Sequence, residues 1–168
     1  MYQAGDKLLY GTEGVCEIKE ICEMKISSKK EKYYVLRPIY REGATLYVPF
    51  DNEALTAKMR PILTVDEINA MLDTICAENI HWIEDASERK SEFQRIMLSG
   101  DRLEILRMIR TLYLRRKRLQ ESGRRLRIND DQMLRDAEKL IDGEFALVLN
   151  ISQRDVPGYI RQRVEEKI

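Results

Sequence analysis

The hydrophobic positions change period near residue 60, and that change divides the chain. Before it, apolar residues alternate with polar ones. Lys7 to Tyr10 reads as a short strand and Gly11-Thr12-Glu13-Gly14 as a turn. Cys16, Ile18, Cys22, Met24 and Ile26 then fall at even positions, with Glu17, Lys19, Glu23 and Lys25 between them. A period of two is that of a half-buried strand, and it predicts a single face for these apolar side chains. Ser27 to Glu31 reads as a polar turn, Tyr33-Tyr34-Val35-Leu36 as an aromatic and β-branched strand, and Arg41-Glu42-Gly43 as a second turn. Thr45 to Val48 closes the series, punctuated by Pro49. Four or five short strands in so short a stretch predict a small, strongly bent sheet or barrel. A module of this size buries only about 60% of its chain surface and is marginal alone.

From Arg60-Pro61 onward the apolar spacing becomes helical. Thr64-Val65-Asp66-Glu67 is a capping box that opens a helix running to about Ala77. A polar joint follows, "ENIHWIEDASER", and a second helix runs from near Ala86 to Leu98 and stops at Gly100. Asp101 caps a third helix, Arg102 to about Gln120. Asn129 or Asp130 caps a fourth, in which Met133, Ala137, Leu140, Ile141, Phe145 and Val148 form one apolar stripe. Asp155 caps a last helix from Val156, with Pro157 tolerated in its first turn. The predicted class is α+β: a β module over residues 1–60, then an all-α module of about five helices over 61–168.

Charge changes the picture of the third helix. The chain carries 29 basic and 29 acidic residues, yet Arg102 to Ile128 holds nine Arg and one Lys against Glu104 and Glu121, an excess of +8. On a helical wheel Ile105, Met108, Ile109, Leu112, Tyr113 and Leu119 share the core arc. Arg107, Arg110, Arg115, Lys117 and Arg118 lie opposite, and Arg124, Arg125 and Arg127 continue the charge into the following loop. Solvated helix faces normally mix both signs for i,i+4 pairing, and this one has almost no acidic partners. A surface of that kind fits phosphate contact. The joint holds the only tryptophan, Trp82, beside the only histidine, His81. The residues leave two readings open for Trp82: a core ring packed between helices, or an exposed ring that wedges between bases while arginines hold phosphates.

Other chemistry is thin. No apolar run approaches the roughly 18 residues of a membrane helix, and the N-terminus lacks the pattern of a secretion signal. Cys16, Cys22 and Cys76 are odd in number and far from any C-x-x-C spacing, as expected of reduced thiols in a cytoplasmic protein. One histidine and no cysteine pair offer no zinc constellation, and no nucleophile motif accompanies His81. Gly11-x-x-Gly14 is too short to cradle a phosphate and precedes a strand. Neither catalysis, a cofactor, a small-molecule substrate nor a membrane is expected as part of the function.

Taken in order along the chain, the motifs resemble the CarD/CdnL family of bacterial transcription regulators. "GDKLLYGTEGVCEIKEI", "YYVL" and "TLYVPF" are similar to the RNA-polymerase-interacting domain which that family shares with the transcription-repair coupling factor. The joint Trp82, "SGD" at Ser99 to Asp101, and Met133, Leu134, Ala137, Leu140, Gly143, Glu144 and Ala146 match the helical part. The resemblance implies a Tudor-like (SH3-like) β-barrel docked on the polymerase β subunit, with Met24, Thr45 and Tyr47 as candidate contacts. It also implies a helical domain on promoter DNA at the upstream edge of the transcription bubble, Trp82 being the wedge and Arg115 a family basic position. Arg89, Lys90, Arg107, Arg110, Arg118, Arg124 and Arg125 complete the expected DNA-contacting set. Ile83-Glu84-Asp85 stand where members often carry basic residues after the Trp. The alternative is a polymerase-bound adaptor whose helical domain recruits a protein and binds DNA weakly or not at all.

Overall fold

A computed structural model describes residues 1–165 as two units, the first being Met1–Leu63 and the second beginning at Thr64. The first unit holds β1 (Lys7–Tyr10), β2 (Val15–Ile26), β3 (Lys29–Pro38), β4 (Leu46–Pro49), a single helical turn α1 (Glu53–Thr56) and β5 (Met59–Pro61). All pairings are antiparallel, in the order β4-β3-β2-β1-β5. Leu8, Cys16, Ile18, Leu36 and Val48 are fully buried on one face, where the Tyr34 and Phe50 rings stack at 4.0 Å.

The sheet is not the closed barrel that the resemblance implies. Closure would require the edges β4 and β5 to pair. Instead the connection between them curls into α1, whose N-cap Asn52 accepts from the Leu55 N–H at 3.1 Å. Neither α1 nor β5 carries a periodic signal long enough to read from sequence.

The single-face expectation for β2 also fails, for a local reason. The register between β2 and β3 shifts between Ile18 and Glu20, so one extra residue sits in β2. An inserted residue moves every later side chain to the other face. Cys16 and Ile18 therefore face the core, whereas Cys22 and Met24 pair with Tyr33 and Glu31 on the opposite face, and Ile26 is 52% exposed. The hairpin turn is shorter than the polar run suggests: only Ser27 and Ser28 form it, at φ 50° and 72°.

The second unit is helical: α2 (Val65–Cys76), α3 (Ala86–Ser99), α4 (Arg102–Glu121), α5 (Ile128–Leu149) and α6 (Val156–Glu165). The capping box forms as its spacing predicts, Thr64 and Glu67 each accepting the other's backbone N–H. Between α3 and α4 the Ser-Gly-Asp turn has a physical explanation. Gly100 takes the left-handed conformation at φ 65° that ends α3, and the Asp101 carboxylate accepts from Leu103 and Glu104 N–H to begin α4. Ile105, Leu106, Met108, Ile109, Leu112 and Tyr113 of α4 are buried; α4 packs most extensively on α5, whose buried stripe is Leu134, Ala137, Ile141 and Phe145, and also on α2, α3 and α6. Met133, Leu140 and Val148, expected in that stripe, are only half-buried. Helix α5 starts at Ile128 after Arg127, not after a cap at Asn129 or Asp130. Asp130 is buried, and an arginine holds its carboxylate. No helix among the described residues is long and apolar enough to cross a membrane.

Candidate nucleic-acid interface

The joint between α2 and α3 has no regular structure from Asn79 to Glu84, yet arginines hold both of its ends. At its start, Arg110 donates from Nη1 to the Glu78 carbonyl at 2.9 Å and from Nη2 to the Cys76 carbonyl at 3.4 Å. Cys76 closes α2, where the last carbonyls lack helical partners, and Glu78 lies just beyond the cap. Arg107 forks onto the Glu78 carboxylate at 2.7 and 2.8 Å, and that hydrogen bond holds Glu78 below the ordinary carboxylate range. At the far end Arg89 is 4% exposed. Its guanidinium forks onto Asp130 at 2.9 and 2.8 Å, and its Nη1 donates to the carbonyls of Ile83 at 2.8 Å and Glu84 at 3.3 Å.

Between these two anchors the joint displays Ile80, His81 and Trp82. Trp82 is half-buried and absent from the hydrophobic core. Guanidiniums lie over its ring instead, Arg89 at 4.5 Å and Arg115 at 5.0 Å from the centroid. Contacts of this kind contribute about 0.5–1 kcal/mol each at exposed sites and roughly 2 when desolvated. A cleft of about 270 Å³ opens beside the ring, lined also by Arg115, Arg124, Arg125, Arg127 and Asp130.

The basic face expected of α4 is thus split along the helix. Arg102 forks onto buried Glu144 at 2.7 Å, Arg107 pairs with Glu78, and Arg110 is 8% exposed. Arg107, Arg110 and Arg89 were expected at the DNA surface; their guanidiniums are committed within the protein. The wheel places Arg110 opposite the core arc, but it does not include the neighbouring joint that covers that side. Toward the C-terminal end the charge is free. Among the described residues, Arg115, Arg116, Lys117, Arg118, Arg124, Arg125 and Arg127 form no salt bridge. Lys117, Arg118, Arg124, Arg125 and Arg127 are exposed, as is Lys90 on α3. Arg115 and Arg116 lie over aromatic rings, those of Trp82 and Tyr113.

On the sheet unit, strand register explains why Met24 and Tyr47 share a face. Met24 pairs with Glu31, two residues from Tyr33, and Tyr47 pairs with Val35 two residues further on. Tyr47 is 53% exposed on β4, an edge strand, and Thr45 is exposed just before it. Burial lifts the Cys16 thiol to about 11, out of the reactive range. No cluster of metal-ligating side chains occurs among the described residues.

Two family models cover nearly the whole chain. The CarD-like/TRCF RID domain matches residues 2–63, and the CarD C-terminal domain matches residues 70–161. The chain belongs to the CarD family. No individual curated protein matches it, so the two domain matches carry the assignment. They make this CarD-family chain a transcription regulator of the RNA-polymerase-interacting type, built from domains that are non-catalytic.

Proposed function

We propose that this CarD-family protein binds the β subunit of bacterial RNA polymerase through its sheet and stabilises the open promoter complex through its helical unit. The observation that carries the reading is the basic run without salt bridges at the end of α4 and in the loop after it, beside a half-buried tryptophan. Lys90, Arg115, Arg118, Arg124 and Arg125 hold phosphates, and Trp82 contacts DNA at the upstream edge of the bubble. Met24, Thr45 and Tyr47 form the polymerase-facing surface, where the free backbone groups of edge strand β4 suit strand addition. The protein works in the cytoplasm, at the nucleoid.

Attachment to polymerase raises the local concentration of the helical unit, so its DNA contacts can be individually weak. Non-specific phosphate binding lies near 10⁻⁴ to 10⁻⁶ M at physiological salt, roughly. Wedging a ring costs a few kcal/mol of unstacking, roughly, and distorted DNA offsets that cost with new contacts. Preference for the open state is what shifts the equilibrium; equal affinity for both states shifts nothing.

The test measures open-complex lifetime and the salt dependence of binding to forked promoter DNA. Charge reversal at Arg115 and Arg118 is expected to flatten the log–log salt slope by about two units and to shorten the lifetime. Undiminished binding by that double variant defeats the DNA part of the proposal. The competing adaptor reading draws on the internal commitment of Arg89, Arg107 and Arg110. It requires a Trp82→Ala protein that still prolongs open complexes normally.

A further inference from the structure

We propose that the buried Arg89–Asp130 pair is a positioning device for Trp82, ordering the ring before nucleic acid arrives. The inference rests on the function proposed above and deepens it.

The residues around the ring motivate it. Among the described residues, 79–84 form no backbone–backbone hydrogen bonds, so no regular ladder orients Trp82. Two guanidiniums lie over it, and that of Arg89 also holds the backbone of the joint. Arg89 Nη1 donates to the carbonyls of Ile83 and Glu84, the two residues after the tryptophan, and Cζ of the same group lies over the ring, 4.5 Å from its centroid. Arg89 Nε and Nη2 hold the two oxygens of Asp130 in the first turn of α5. Every nitrogen of the guanidinium is therefore engaged, and its plane is fixed from three directions. Joint, α3 and α5 meet in one planar group, and the indole lies against it.

A buried ion pair contributes little to stability compared with apolar residues of the same volume. Its directional geometry is what apolar packing lacks. A lysine at position 89 would keep the charge but lose both the fork and the flat support. An ordered ring loses less rotamer freedom when it inserts, so its orientation appears in affinity for distorted DNA and not in affinity for phosphate.

Trp82 is the only tryptophan, so indole fluorescence of the full chain reports this site alone. The experiment compares wild type, Arg89→Lys, Asp130→Asn and Asp130→Glu by acrylamide quenching and time-resolved anisotropy. The same chains are then titrated with plain and forked duplex DNA. The wild-type indole should rotate with the protein and lack a large sub-nanosecond component. Arg89→Lys and Asp130→Asn should show that component, quench more readily, and keep wild-type affinity and salt slope on plain duplex. Their preference for forked over plain duplex should fall about 3–10-fold, the equivalent of ordering one side chain. Asp130→Glu, which keeps the carboxylate, should recover part of both signals.

Unchanged quenching and anisotropy in a folded Arg89→Lys or Asp130→Asn chain overturns the proposal. Should both variants fail to fold, a freely rotating indole in the wild-type chain or in Arg115→Ala overturns it, and an indole that stays rigid in both upholds it. Trp82→Ala separates the two ideas. If that chain keeps full preference for forked DNA, the wedge reading falls, whereas the fluorescence arm still decides whether the pair orders the ring.

Discussion

Trp82, Arg102 and Asp142 show how the same residue types take different roles according to what lies beside them. Trp82 is only half-buried, with guanidiniums over its ring, so its removal should cost well under the roughly 3–5 kcal/mol of a core Trp→Ala change. The Trp82→Ala chain is expected to melt near the wild-type temperature and yet to shorten open complexes. Glu144 is the opposite case. It is 1% exposed and takes both oxygens to Arg102, so Glu144→Ala leaves an arginine in a site built for a carboxylate. A loss of about 3–5 kcal/mol is expected in urea unfolding. Asp142 is half-buried; burial, and then the nearby Glu138, push its carboxyl from 3.8 to about 7. The folded state thus binds this proton more tightly than the unfolded chain does. Its contribution is fully present below pH 4 and is lost as pH rises through about 7. Asp142→Asn should therefore stabilise the protein at pH 8, by about 1 kcal/mol after solvent screening, with the gain shrinking toward pH 5. A gain that grows on acidification would contradict this assignment.

Turn and cap chemistry decide how the elements begin and end. The Ser99-Gly100-Asp101 turn combines a left-handed glycine with an aspartate cap, and that pairing lets α4 follow α3 without a longer loop. The β2–β3 hairpin achieves a two-residue turn at higher cost, because Ser27 and Ser28 both adopt positive φ. Asn-Gly is the preferred pair for such a turn. The double substitution Ser27→Asn, Ser28→Gly should stabilise the protein by about 1 kcal/mol in chemical denaturation. The alternating pattern of β2 identifies a strand, but it misassigns the faces beyond Ile18. A single inserted residue inverts that assignment and leaves the local composition unchanged.

At the scale of the molecule, the proposed function assigns a separate binding activity to each of the two units. Tyr47→Glu on the exposed face of β4 is expected to weaken binding to the polymerase β subunit while leaving affinity for isolated forked DNA unchanged. Co-purification of that variant with polymerase at the wild-type level would place the docking surface elsewhere. The net charge of zero misleads at this scale, since it averages over a helical unit in which paired and unpaired arginines occupy different ends of α4.

Local, periodic features were legible in the amino-acid sequence alone. The change of period near residue 60, the capping box at Thr64, the core arc of α4 and the basic excess from Arg102 to Ile128 all depend on residues a few positions apart. The order of motifs along the chain likewise pointed to the family that the domain matches establish. Only the tertiary structure decided which arginines are free. Arg89 meets Asp130 across 41 positions, Arg102 meets Glu144 across 42, and Arg110 caps a helix that ended more than thirty residues earlier. A helical wheel describes one isolated cylinder, whereas the state of each guanidinium is set by whichever distant carboxylate or carbonyl the fold brings within 3 Å or so of it.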